Sequence, residues 1–196
     1  MDIRRKTEYQ YMPFIVKELE DVVGGASIAL ADLRKDLDSV PPGAFVGCDE
    51  NGLRHVLVAA VLVVAATATD TTYKVKKGSQ VKVGQFITTG DVEGAKAYAV
   101  TVFDTSSAEH DVITVGTTLG KALAIGQTLH EVKAEDAVGG KGELKFTPEA
   151  ITKREIDTTG SHASAGLLVR GTVNVANMAF GAPKVFRKAM PLMRFE

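Results

Sequence analysis

The sequence predicts a mainly β protein: a compact β-sandwich or barrel-like domain, preceded by an N-terminal arm with one short helix and followed by an extended C-terminal tail. Three observations predict it. Between residues 41 and 147, short runs alternate apolar and polar side chains, the period of a half-buried strand. Glycines fall between those runs and not inside helical stretches, with Asn51–Gly52 as a strong tight-turn pair. No internal repeat and no sustained heptad pattern is visible, so neither a solenoid nor a long coiled-coil shaft fits. The chain has 196 residues and 45% hydrophobic content, enough for a sizeable core without disulfides or metals.

Residues 1–40 are charged and read as the arm. Within "SIALADLRKDLDS", Ile28, Leu30, Leu33 and Leu37 roughly share one helical face, Ser27 offers an N-cap, and Pro41–Pro42 ends the segment. The β domain is expected over 41–147. It begins with "GAFVG", turns at Asn51–Gly52, and enters the apolar run Val56–Ala66. That run is eleven residues long, short of the roughly 20 a membrane helix needs, and its valines indicate a strand buried on both faces. Next comes "TTYKVKKGSQVKVGQFITT", residues 71–89, with the form of a β-hairpin turning at Lys77–Gly78. Tyr73, Val75, Val81 and Val83 are expected in the core, and Lys74, Lys76 and Lys82 on the opposite face. "AKAYAVTVF" and "DVITV" read as strands around a polar loop at 104–110, and "KALAIGQTLHEV" continues the pattern.

Residues 148–196 are expected to add a strand and a tail that packs on the domain or on a partner. "AEDAVGGKGEL" before them is a glycine-rich loop, and "TPEAITKREI" has Thr147 and Pro148 placed to start a short helix. "LLVRGTVNVANM" reads as a strand. The tail "PKVFRKAMPLMRFE" mixes bases with the large apolar residues Phe186, Leu192, Met193 and Phe195. Such a set is not normally left in water, so burial against another chain or the protein's own core is expected.

Charge narrows the function classes. A net charge of −1 and a pI of about 6.4 provide no basic field for wrapping nucleic acid. The single cysteine, Cys48, excludes an intrachain disulfide and suits a small apolar residue near a turn. "MDIRRKTEYQYMPF" has no apolar stretch behind its positive charges, so neither a signal peptide nor a membrane anchor is expected.

Catalytic and cofactor motifs are sparse. His55, His110, His130 and His162 lack the spacing of a helical zinc site, and "CDENG" lacks the ligand alternation of a calcium loop. Ser161, His162 and Asp157 contain the residue types of a catalytic triad, but adjacent side chains on extended backbone point apart. No nucleophile elbow or phosphate-binding glycine loop is present, and "GGKG" at 139–142 has the wrong spacing for one. No enzyme activity, cofactor or metal is therefore expected. The lysine face at Lys74, Lys76 and Lys82 has two readings: a solvated face that protects a sheet edge, or a docking face for an acidic partner.

"VPPGAFVGCDENGLRHVLVAAVL", "TTYKVKKGSQVKVGQFI", "LLVRGTVNVANM" and "MPLMRFE" occur in this order. Together they resemble head fibre and capsid decoration (auxiliary capsid) proteins of tailed bacteriophages, especially those of phages infecting gut Bacteroidales, over roughly residues 40–196. The resemblance implies a virion structural protein bound outside the phage major capsid shell and made in the host cytoplasm, with self-association on the capsid. It implies no catalytic residues. Candidate contacts to capsid or subunit are Lys74, Lys76, Lys82, Phe186, Leu192, Met193 and Phe195. The competing expectation is a β-barrel enzyme or small-ligand binder with a site assembled from distant loops.

Overall fold

The structure, a computed structural model, describes residues 13–140 and 142–196. The expected arm's residues 1–12, and Lys141 of the glycine-rich loop, lie outside the described residues. The described residues begin with β1 (Ile15–Asp21), β2 (Ala26–Ile28), β3 (Ser39–Val40), β4 (Phe45–Cys48) and β5 (Arg54–Val56). The chain then crosses into a second sheet made of β6 (Ala59–Val61), β7 (Thr72–Lys76), β8 (Phe86–Thr88), β9 (Tyr98–Asp104), β10 (His110–Val115) and β11 (Thr128–Val132). Finally it returns through β12 (Pro148–Thr152), β13 (Ile156–Asp157), β14 (Ala163–Ala165), β15 (Leu167–Val173), α1 (Lys184–Ala189) and β16 (Met193–Phe195).

The fold is mainly β, and it has two lobes. In the first, the strand order is β1-β15-β12-β4-β5-β2-β14, with β16 parallel to β15, so strands from both halves of the chain alternate across one sheet. Its core contains Phe45, Ile151, Leu167, Leu168 and Phe186. In the second, the order is β6-β11-β8-β9-β10-β7. This sheet curls until its end strands meet: Leu62 bridges Val75, and Val63 N–H donates to the Lys74 carbonyl at 3.0 Å. The result is barrel-like, with Tyr73, Val75, Ile87, Ile113 and Leu129 inside.

The apolar run at Val56–Ala66 joins the lobes. It forms two short strands, where one long strand was expected. Leu57 faces the first core and Val58 the second, because neighbouring side chains on extended backbone point to opposite sides. Burial on both faces follows from this crossing as far as Ala60. The run then surfaces at Val63 and Val64.

The contiguous division at residues 41 and 147 does not coincide with either core. β4 and β5 belong with β12 and β15, and β1 and β2 of the expected arm sit in the same sheet. The helix expected after Ser27 is replaced by β2, which pairs with β14, and a single 3₁₀ turn at Leu30–Asp32. Ile28 and Leu33 are buried as their hydrophobicity requires, but pairing to the sheet takes the place of helical hydrogen bonds. The helix expected at Thr147 is also absent. Pro148 opens β12, where a missing N–H is tolerated at a strand's first residue, and Ile156 lies in β13.

The hairpin expected over residues 71–89 does not form. β7 pairs with β10, and β8 pairs with β9 and β11. The turn at Gly78 is present with φ of 84°, but residues 79–85 carry no strand. Asp111 in β10, 1% exposed, accepts the Gly78 N–H at 2.9 Å and holds the turn. Ser79 and Gln80 then pass beneath Arg34 from the first lobe. The Arg34 N–H donates to Gln80 Oε1 at 2.9 Å, and Arg34 Nη1 donates to the Ser79 carbonyl at 2.8 Å.

Candidate functional site

The structure separates the lysines that alternation placed together. Lys74 and Lys76 project outward from β7, while Tyr73 and Val75 fill the barrel. Lys82 instead lies half-buried between the lobes, its Nζ donating to the Ala31 carbonyl at 2.8 Å. Desolvation holds its pKa below the usual lysine value, partly offset by the nearby Asp32 carboxylate. Val83, expected in the core, is 62% exposed because the irregular segment loses the strand alternation.

The tail packs on the protein's own first core. Phe186 is fully buried and meets Phe45 edge-on, with centroids 5.2 Å apart. Phe195 stacks on Phe45 at 6.1 Å, and Met193 is buried. Leu192 departs from the expectation, being 59% exposed in the turn between α1 and β16.

Anchoring Phe186 fixes the polar face of α1 against the barrel. A crevice of about 430 Å³ opens between the β6–β7 seam and the segment leading into α1. Val61, Met178 and Ala182 supply apolar wall, while Lys76, Lys184 and Arg187 supply charge. The segment approaches the barrel closely at Gly181, where a Cβ would lie 2.5 Å from Val61 Cγ2 and φ is +68°. Only glycine fits there. The carboxylate at the crevice belongs to Asp91. Its Oδ2 accepts from Thr128 N–H at 2.6 Å and from Thr128 Oγ1 at 2.9 Å. Lys184 Nζ donates to the Asp91 carbonyl at 3.2 Å. The Nε of Arg187 is buried without a hydrogen-bond partner. Among the described residues neither Lys76 nor Arg187 makes an ion pair. Such an arrangement can bind anionic oxygens.

A second cavity of similar size lies on the other side of Asp91's loop, walled by Gly90, Gly94, Gly139 and Thr89. His130 borders it, edge-on to Phe186 at 5.6 Å. Burial pushes the His130 pKa down to about 4, against the opposing pull of Asp91, so the imidazole is neutral at pH 7. Its Nδ1 is buried without a partner.

Arg34, 6% exposed, forms the third cluster, which clasps the lobes together. Besides Ser79 and Gln80 it reaches Asp36, lies 3.8 Å from Asp111, and covers the Phe103 ring at 4.7 Å. Lys77 Nζ approaches Asp111 at 3.2 Å.

The residues with triad chemistry are not assembled into a site. Ser161 and His162 are exposed, and Asp157 Oδ1 accepts from Thr159 N–H at 2.8 Å and Thr159 Oγ1 at 2.6 Å. His55 contacts Asp32 through Nδ1 and stacks on Phe146 at 4.1 Å. Among the described residues no three His, Cys, Asp or Glu side chains gather as a metal site, and no helix is long and apolar enough to cross a membrane.

Lys184 and Arg187 were legible in the sequence as members of a basic tail. Their convergence with Lys76, more than a hundred residues earlier in the chain, has no sequence signal. Neither a family model, nor a curated protein, nor a solved structure matches the chain.

Proposed function

We propose that the protein is a non-enzymatic virion structural protein that binds the outside of a tailed bacteriophage's major capsid shell, as a decoration or head fibre-like auxiliary protein. The reading starts from the ordered sequence segments that resemble that family. The observation that carries it further is the exposure of apolar side chains on both lobes, grouped on the barrel. On the barrel, loops 63–68 and 122–126 are paired by two hydrogen bonds between Ala66 and Leu123, each 2.8 Å. They present Val63, Val64 and Ile125, the last 67% exposed. On the first lobe, β1 is an edge strand among the described residues and exposes Val16 (60%) and Leu19 (55%). Single exposed valines need no explanation, but grouped ones mark protein contacts. Two contact surfaces on two lobes suit a protein held between neighbours on a repeating shell, where many weak contacts add.

The test is quantitative mass spectrometry of purified particles, followed by sedimentation of the purified protein with undecorated shells. Tens to hundreds of copies per particle, and saturable binding to shells, are the expected results. Absence from particles, or failure to sediment with shells, overturns the proposal.

A further inference from the structure

We propose that the crevice between the barrel seam and α1 receives an acidic segment of a partner protein, its carboxylates meeting Lys76, Lys184 and Arg187. The inference rests on the reading that this chain docks on another protein, but it does not need that protein to be a capsid.

Charge is the first reason. Lys76, Lys184 and Arg187 line one concave site. The carboxylate there, Asp91, already accepts two hydrogen bonds from Thr128 through Oδ2. The site is therefore net positive in a chain whose net charge is −1, so the attraction is local. Arg187 Nε is the sharper indication. It has no acceptor, and among the described residues the guanidinium makes no ion pair, so the positive charge that Arg187 brings to the crevice is not neutralised within the chain.

The walls decide between a peptide and a small anion. Val61, Met178 and Ala182 line the same space as the cations. A phosphate gains nothing from such walls, whereas a peptide alternating carboxylates with apolar side chains uses both. Preorganisation is the third reason. Phe186, 1% exposed, fixes α1 to the first core, and Gly181 sets the loop against Val61. The backbone that carries the cations of α1 is therefore already placed before binding.

The experiment titrates the full chain with a fluorescent peptide of alternating glutamate and leucine, and with the same peptide carrying glutamine for glutamate. Amide NMR shifts locate the contact. The acidic peptide is expected to bind more tightly, to weaken as salt rises, and to move the amides of Gly126, Gly181 and Lys184. Lys184→Glu combined with Arg187→Glu should reduce affinity about tenfold or more. Arg154→Glu combined with Arg170→Glu makes the same charge change at exposed sites elsewhere and should reduce it less than about twofold. If the α1 variant fails to fold, Lys76→Glu on the exposed face of β7 replaces it. Equal losses in both variants, shifts scattered over other lysines, or tighter binding of inorganic phosphate than of the peptide overturns the proposal. Peptide binding by a protein absent from virions would sink the capsid reading alone. A protein present on virions with an inert crevice would sink this inference alone.

Discussion

The two lobes are built from the chain in opposite ways. The barrel-like lobe is nearly continuous in sequence, and its strands β6 to β11 follow one another without interruption. The first lobe is assembled from both ends, with β1 on β15 and β4 on β12. The β1–β15, β4–β12 and β2–β14 pairings each span more than a hundred residues, so loop-closure entropy opposes these three until the barrel between them has brought the ends together. The difference suggests that the barrel can hold its own structure, while the first lobe depends on its last residues. Phe186, Met190 and Met193 all lie in its core.

Deleting residues 185–196 probes this difference most severely. It removes those three core residues and the β16 partner of β15. One buried Phe→Ala alone costs about 3–5 kcal/mol, so the first lobe should unfold. Amide hydrogen exchange should then be fast throughout β1, β4, β12 and β15 but remain slow in β7, β9 and β10. Uniform loss of protection would mean that the two lobes fold as one unit.

A smaller effect tests the contact between them. His130 belongs to the barrel and meets Phe186 of the first lobe. Its pKa falls from 6.5 to about 4 on folding because burial disfavours the charged ring. Below pH 6.5 the unfolded chain therefore binds a proton that the folded chain does not. Stability is fully present above that value and declines as pH falls towards 4, by roughly 3 kcal/mol in total. Neighbouring Glu131 works the other way, since burial raises its pKa against the pull of Lys145. The useful measurement is thus the difference in urea stability between wild type and His130→Leu from pH 7 to 4. The leucine variant should lose the decline assigned to His130. Parallel curves would place the titration elsewhere.

The last contrast lies between two valines in one segment, and the exposed one carries the smallest expected effect. Val81 is 1% exposed and Val83 is 62% exposed. Val81→Asp buries an unpaired charge and should cost several kcal/mol, on the order of 3 or more. Val83→Asp should stay within about 0.5 kcal/mol. Thermal midpoints of the two variants measure the contrast, and equal damage would restore the hairpin that alternation suggested.

The sequence alone determined what depends on a few adjacent residues. The outward lysines and inward Tyr73 and Val75 of β7 follow from the pleat. The Asn51–Gly52 turn follows from local chemistry: Asp49 Oδ1 accepts N–H groups from Asn51 at 2.9 Å and Leu53 at 2.8 Å, and Gly52 takes φ of 85°. The strands around loop 104–110, and the apolar tail that had to be covered, were legible for the same reason. Only the tertiary structure decided which strand pairs with which, because a period of two says which face is buried and nothing about the neighbour. It exposed Val83 by drawing Ser79 and Gln80 under Arg34, a residue 46 positions from Gln80. It replaced the helices expected after Ser27 and Thr147 with strands, since pairing to β14 and β4 outweighs a weak helical preference. It also brought Lys76 to Lys184 and Arg187. The sequence provides those charges, but their distance from one another is fixed by how the barrel's seam meets a helix anchored in the other lobe's core.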